Sequence, residues 1–541
     1  MEPTSGFPII TSPINLRGAT ETANRDLWWP VLERFEKALG DVTAEGTAHA
    51  CQRHQSRGQL LPRDRISLLL DPGSAFLELG AFAGYALEDS SPCASIISGI
   101  GSVSGRHVLL LSHIPTQSGG AWNEYTVIKQ NRVTEIANEN NLPIIALIQS
   151  AGVFLPQQFR VFHKGGQIFR DLAIRSRERQ PTCGVVFGSS TAGGAYHPAL
   201  SDYSIFVKDQ AQVFLGGPPL VKMATGEVVD AETLGGATTH ATVTGLADQI
   251  AVDEFDAIRK AREWVCTLYQ DQLRPIRSLA APSVPRYPMD DLLSIVNPDI
   301  RKQFNMLAAL LRIVDDSRMS IFKPKFGPNL LTSWARIAGY TVGIVANQVP
   351  IINPDEASKG AQFIQMCNQQ NTPIVFFHNV TGFMVGSKAE HAAIIKKGAR
   401  MVSAVSCSTV PHISIIIGAS YGAGNYAMCG RAYKPRFLFS WPTSRCSVMG
   451  PEQLAGVMRA LESNSLKAHG VELRPEEIDA RVQKFHDSVE RDSECYRTSA
   501  TILDDGIIDP RDTRDVLSMC LEVVNLRDVQ GAHCHQALAR L

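Results

Sequence analysis

Two stretches of small residues could place backbone N–H groups around a developing negative oxygen. One is Gly188-Ser189-Ser190-Thr191-Ala192-Gly193-Gly194-Ala195-Tyr196, which follows the apolar run Val185-Val186-Phe187. The other is Gly418-Ala419-Ser420-Tyr421-Gly422-Ala423-Gly424-Asn425-Tyr426, which follows Ile415-Ile416-Ile417. Small residues let a ligand atom approach the main chain closely. A helix start adds N–H groups without intrahelical acceptors and the positive end of the helix dipole. Together these make an oxyanion hole, a set of fixed donors aimed at an oxygen that gains charge. One such turn alone reads as tight strand–helix packing, but two at equivalent places favour catalysis. The second copy also spells G-x-S-x-G through Gly418, Ser420 and Gly422, the nucleophile elbow of serine hydrolases, with Asp509 and His533 following in triad order. The first copy has Ser190 at the matching place but breaks that pattern, so Ser420 is not expected to be a nucleophile. There is no H-E-x-x-H and no Walker A sequence, and the 14 His show no ligand spacing, so no metal site is expected.

The elements that must carry these turns repeat. Residues 140–152, with Pro143, parallel 370–382, with Pro373, and the prolines stand 230 positions apart. The same offset separates Gly193 from Ala423. The apolar runs 107–113 and 341–347 read as buried strands, and 126–140 and 356–370 have helical spacing. Residues 248–258 echo 504–514. These alternations predict a duplicated α/β domain. Five prolines between Pro275 and Pro298 mark a linker near the middle of the chain. The predicted organisation is a first domain over 22–275, a linker over 276–290 and a second domain over 291–530.

Composition narrows the function classes. Across 541 residues, 52 basic side chains balance 53 acidic ones, which excludes a globally basic nucleic-acid surface. No apolar run approaches the roughly 18 residues of a transmembrane helix, so no membrane insertion is expected. Eleven scattered cysteines without C-x-x-C indicate neither a disulfide framework nor a zinc knuckle and fit a reducing compartment. The first residues resemble neither a secretory signal nor an Arg-rich transit peptide. Ala539-Arg540-Leu541 has the small–basic–leucine form of a peroxisomal address, so the peroxisome is expected, with mitochondrion and cytoplasm as alternatives.

Longer motifs extend this reading. Residues 57–79, 190–202 and 214–240 of the first half, and 329–347, 379–386 and 416–437 of the second, resemble the carboxyltransferase (β) subunit of biotin-dependent acyl-CoA carboxylases. The methylcrotonoyl-CoA and geranoyl-CoA branch is the most similar, and the resemblance covers roughly 25–525. It implies a tandem of crotonase-like (ClpP/crotonase) superdomains. The first holds an acyl-CoA, expected to be an unsaturated branched enoyl-CoA, and the second receives biotin. It also implies a hexameric assembly with the active site at a dimer interface. Biotin would be carried by a partner α subunit, which also uses ATP and bicarbonate. The catalytic donors carried over are Gly193 and Gly194 for the thioester enolate and Ala423 and Gly424 for the biotin ureido oxygen. The substrate-binding positions carried over are Gly119, Gly120, Ser150, Gly152, Ser317, Arg318, Thr381, Gly382 and Phe383. In such a mechanism biotin itself takes the substrate proton, which agrees with the lack of a catalytic His, Cys or carboxylate dyad. The alternative is a biotin-independent CoA-thioester decarboxylase or hydrolase on the same scaffold.

The chain departs from that family pattern near the acyl-CoA half. Gln149-Ser150-Ala151-Gly152-Val153 stands where Asp-Ser-Gly-Gly-Ala is usual. Gln157 replaces an Arg, Ser118 a Lys, and Lys396-Lys397 fall where an acidic residue is expected.

Overall fold

The computed structural model describes residues 6–268, 281–469 and 475–532. The chain divides into two compact units, one of Glu36–Arg274 with Ala500–Ile502, the other of Met1–Phe35, Pro275–Ser499 and Leu503–Leu541. The segment 22–35, which the predicted boundary gives to the first half, thus belongs with the second-half unit. There Trp28 is fully buried edge-on to Trp441 and donates from Nε1 to the Val296 carbonyl at 2.7 Å.

The first-half unit is built on a sheet of β1 (Phe76–Glu78), β2 (Ile96–Val103), β3 (Arg106–His113), β4 (Ile144–Ser150), β5 (Thr182–Thr191), β6 (Tyr203–Val207), β7 (Gln212–Phe214) and β8 (Gln249–Ala251). Their order is β1-β2-β3-β4-β5-β6-β8, with β7 paired to the end of β5. From β3 onward the pairs are parallel. Such strands are covered on both faces and read as continuous apolar runs, as Val108–Leu111, Ile144–Ile148 and Val185–Phe187 do.

The second-half unit repeats the plan with β9 (Met319–Ile321), β10 (Leu330–Ile337), β11 (Tyr340–Asn347), β12 (Ile351–Ile352), β13 (Ile374–Val380), β14 (Gly382–Phe383), β15 (His412–Tyr421), β16 (Phe437–Ser440) and β17 (Arg445–Ser447). The order is β9-β10-β11-β13-β15-β16, with β17 on the end of β15 and β12 paired to β14. The helices Glu124–Asn140 and Pro354–Gln369 cover the predicted helical stretches.

The 230-residue offset holds in the hydrogen-bond register. Ile144 pairs with Thr182 and Ile374 with His412. Both ladders slip at the same place, after Ile148 and after His378, and then rejoin as Ser150↔Ser190 and Val380↔Ser420. The chain is therefore a tandem of crotonase-like α/β superdomains. The weaker echo between 248–258 and 504–514 survives as topology. Where β8 pairs with β6, residue Ile507 makes a single parallel bridge to Ser440 of β16, and Pro510 then opens a helical turn instead of a longer strand.

Candidate active site

At the end of β5 the chain turns through Ala192, which has a φ of +53°, into the short helical turn Ala192–Ala195. The loop before it is braced by a second loop from the end of β3. Gly119 and Gly120 have φ of +65° and +71°, and Ser118 has +49°. Ser150 donates from Oγ to the Gly120 carbonyl at 2.8 Å and accepts from the Gly152 N–H at 3.1 Å. Ala151 N–H donates to Gly119 and Trp122 N–H to Gly152, zipping the loops together. A Cβ on Gly120 would meet the Gln149 carbonyl at 2.3 Å, one on Gly152 the Thr191 carbonyl at 3.0 Å, and one on Gly194 the Ser190 Oγ at 3.0 Å. Gly119, Gly120, Ser150, Gly152 and Gly194 thus form one close-packed constellation, and Gly193 faces the Phe169 ring. Behind it lie His113 and His197, whose ring pKa values burial lowers to about 3 and about 4. His113 is therefore a neutral acceptor at ordinary pH, and Trp122 Nε1 donates to its Nε2 at 2.9 Å.

The second turn follows β15 in the same way. Gly422, the counterpart of Ala192, has a φ of +54° and starts the helix Gly422–Ala427. A Cβ on Gly424 would strike Val380 Cγ2 at 2.6 Å and the Gly382 Cα at 3.1 Å. Thr381 holds the adjoining loop by donating from its N–H and Oγ1 to the Pro350 carbonyl at 2.6 and 2.8 Å. Gly382 and Phe383 form β14 against β12, the counterpart of the bridge between Trp122 and Val153. Thr381, Gly382 and Phe383 therefore adjoin the turn, and Ala423 is exposed.

Ser317 and Arg318 are not brought to the second turn, the one in their own unit. They precede β9, which lies on the sheet edge beyond β10 and β11 from β13. Ser317 Oγ donates to the Leu311 carbonyl at 2.7 Å, and Arg318 pairs with Asp316 at 2.6 Å.

The departures are absorbed locally. Arg65 forms a buried pair with Glu254 at 2.8 Å and donates to Gln149 Oε1 at 3.0 Å. With Glu254 already neutralising Arg65, an uncharged residue suits position 149. Gln157 accepts from the Glu124 N–H at 2.9 Å and donates to the Asp89 carbonyl. Ser118 and Lys396 are exposed, and Lys397 lies 3.5 Å from Asp355.

The serine-hydrolase pattern also resolves. Asp509 caps the Arg511 N–H and pairs with its guanidinium at 2.7 Å. His533 and the C-terminal tripeptide lie outside the described residues. Ser420 is fully buried, and its imidazole neighbour is His378, with Nδ1 2.9 Å from Oγ. Sequence reasoning missed His378, whose only signal was a polar residue inside the apolar strand β13. Among the described residues no cluster of His, Cys, Asp or Glu has the form of a metal site, and no helix is long and apolar enough to cross a membrane.

The carboxyl transferase domain model matches residues 53–536. A probable biotin-dependent acyl-coenzyme A carboxylase beta2 subunit of Mycobacterium tuberculosis is 46% identical over 501 residues, which span 92% of this chain and 94% of that protein. The mitochondrial methylcrotonoyl-CoA carboxylase beta chain of Arabidopsis thaliana is 44% identical over 509 residues, 92% and 86% of the two chains. The crystal structure of the P. aeruginosa geranyl-CoA carboxylase beta subunit superposes with a TM-score of 0.89 at 38% identity, covering 98% of this chain and all of that one.

Proposed function

The chain belongs to the carboxyl transferase family, and from that premise we propose that it is the β subunit of a biotin-dependent acyl-CoA carboxylase, moving a carboxyl group from a biotin carried on a partner α subunit to an acyl-CoA. The observation that carries this is the pair of small-residue turns at equivalent ends of β5 and β15. Biotin supplies the activated carboxyl group when its carrier docks. The second turn suits it: its donors are peptide N–H groups, which can hold a ureido oxygen that gains charge, and Gly424 leaves no room for a side chain. In this reading Ala423 and Gly424 hold that oxygen, and Gly193 and Gly194 hold the thioester oxygen as it becomes an enolate. Gly119, Gly120, Ser150 and Gly152 fix the first turn. Thr381, Gly382 and Phe383 wall the second, while Ser317 and Arg318, proposed as substrate-binding, lie away from that second turn on the edge of its sheet. No side-chain base is needed near Gly194, and the buried imidazoles behind it are held neutral.

The substrate in this proposal is an unsaturated branched enoyl-CoA, supported by the methylcrotonoyl and geranyl relatives, and the assembly is a homo-oligomer with a hexameric core. Reconstitution with a biotinylated α subunit, ATP and labelled bicarbonate should transfer label to such a thioester. Turnover without biotin and without label transfer would instead establish a decarboxylase or hydrolase. For the compartment, the Arabidopsis thaliana and Drosophila melanogaster relatives are named mitochondrial. The peroxisomal reading rests on Ala539-Arg540-Leu541 alone. Imaging of an N-terminally tagged chain in a eukaryotic cell, with and without that tripeptide, tests the address: loss of peroxisomal signal on its deletion would support it, and mitochondrial recovery of the intact chain would overturn it.

A further inference from the structure

The two turns match in backbone but differ in what stands behind them. In the second, Asn425 follows Gly424 directly, and its Nδ2 reaches back to donate to Ser420 Oγ at 2.8 Å. Since that oxygen accepts from Asn425, the Ser420 hydroxyl proton is free to go to His378 Nδ1, 2.9 Å away on β13. Ser420 and His378 are both fully buried, and Ser420 also pairs across the ladder with Val380, whose methyl touches the space above Gly424. The result is a chain of hydrogen bonds from the turn to β15 to β13, half-buried at Asn425 and fully buried at Ser420 and His378. The first turn keeps only the middle member. The counterparts of His378, Ser420 and Asn425 are Ile148, Ser190 and Ala195. Ser190 Oγ is buried with no hydrogen-bond partner.

We propose that Asn425, Ser420 and His378 are positioning residues that tether the second oxyanion turn, fixing its N–H groups, and that the first turn, braced by the loops of Gly119, Gly120, Ser150 and Gly152, has no tether of this side-chain kind. The proposal rests on the reading that the second half receives biotin. Biotin presents one invariant ureido group, so a fixed set of donors suits it. The buried Ser420–His378 hydrogen bond fixes the Ser420 hydroxyl to which Asn425 is held, because breaking it leaves unsatisfied polar atoms in a dry interior. The G-x-S-x-G pattern then marks an anchoring hydroxyl and not a nucleophile.

The test compares Asn425→Ala, which installs the first copy's residue, with Ser420→Ala, the double variant and Ser190→Ala in the full-length protein. Hydrogen exchange of residues 422–428 and turnover of the reconstituted holoenzyme on an enoyl-CoA are both measured. Asn425→Ala and Ser420→Ala should each speed exchange of that segment and lower kcat about tenfold, with KM for the acyl-CoA within twofold of the parent. The double variant should be no worse than either, because both cut one chain. Ser190→Ala should keep kcat within twofold. Unchanged exchange in Asn425→Ala would overturn the tether. Faster exchange with unchanged kcat, or an equal loss from Ser190→Ala, would overturn its positioning role. If the unmodified protein transfers no carboxyl group, the functional reading and the catalytic role fall together, while the exchange arm still decides whether the chain holds the turn.

Discussion

At the scale of single residues, the site is made of positions where a side chain has no room. Gly424→Val would put a Cβ 2.6 Å from Val380 Cγ2 and 3.1 Å from the Gly382 Cα, and Gly194→Val one 3.0 Å from Ser190 Oγ at the end of β5, each with two further methyl groups to house. Each change moves the N–H donors of its turn. Loss of one oxyanion donor costs about 2.7–4 kcal/mol, or roughly 10²–10³ in rate. Each variant is therefore expected to lose at least a hundredfold in kcat in the reconstituted transfer assay while still binding the α subunit in a pull-down. Ser420 gives the opposite expectation. It is sealed from solvent, and among the described residues no carboxylate backs the His378 ring, so a fluorophosphonate probe should leave it unlabelled. Stoichiometric labelling, read by mass spectrometry, would move the protein to the hydrolase class. The glycines and Ser420 were legible in the sequence because turn chemistry confines them to short, recognisable stretches. His378 and Asn425 were not, because their role depends on a register between strands that lie 42 residues apart at Ser420. Ser317 and Arg318 were placed by resemblance, and nothing in their own spacing says that they sit on a sheet edge.

At the scale of elements, the duplication was legible because buried parallel strands leave continuous apolar runs, and two of these with prolines at a fixed offset are easily matched. The short pieces were not. Strands β7, β12, β14 and β17 have two or three residues each, too few for any periodicity to register. The offset nevertheless reaches buried charges. Lys129 lies on the helix after β3, and its counterpart Lys359 lies on the helix after β12. Lys129 donates to the Ile96 carbonyl at 2.6 Å, and Lys359 donates to the Gly327 carbonyl at 3.2 Å. The Arg65–Glu254 pair has no such counterpart and ties the helix Pro62–Leu69 to Glu254–Thr267 within the first-half unit. Both side chains are almost wholly buried, so Glu254→Gln leaves an uncompensated guanidinium. Breaking a buried pair by removing one partner costs about 3–5 kcal/mol. Glu254→Gln is expected to lower the thermal midpoint clearly, whereas Arg65→Met with Glu254→Leu should lower it less, because an apolar pair of similar volume carries no desolvation penalty. An equal loss in both, measured calorimetrically, would show that the charge adds nothing beyond packing.

At the scale of the whole molecule, buried titratable groups give the two units different pH dependences. Burial lowers His113 to about 3 and His197 to about 4 in the first-half unit, and His378 to about 3 and His412 to about 4 in the second-half unit. Unfolded histidines titrate near 6.5. Below that pH the unfolded chain binds protons that the folded units refuse, so each imidazole costs stability as the pH falls from 6.5 toward 4. Asp504 in the second-half unit has the reverse sign. Burial raises its pKa to about 7, so the folded unit keeps a proton that the unfolded carboxyl sheds above about 4. Its contribution is full in acid and is lost as the pH rises through 7. Between pH 4 and 6.5 the second-half unit therefore sets His378 and His412 against Asp504 and Asp512, whose pKa burial also raises, while the first-half unit sets His113, His197 and His54, also lowered by burial, against Glu45 alone among its described residues, raised by burial. The slope is about 1.4 kcal/mol per pH unit for each uncompensated proton. Hydrogen exchange at pH 5 against pH 7 should therefore show the strands of the first-half unit, β3 to β6, losing protection more steeply than β11 to β16. Asp504→Asn should remove its share of the offset, bringing the acid sensitivity of the two units closer and raising protection in the second-half unit at pH 8, where the native carboxylate is charged and buried. Equal slopes in the unmodified protein, or a second-half unit in Asp504→Asn that is no better protected at pH 8, would show that Asp504 does not hold its proton through the neutral range.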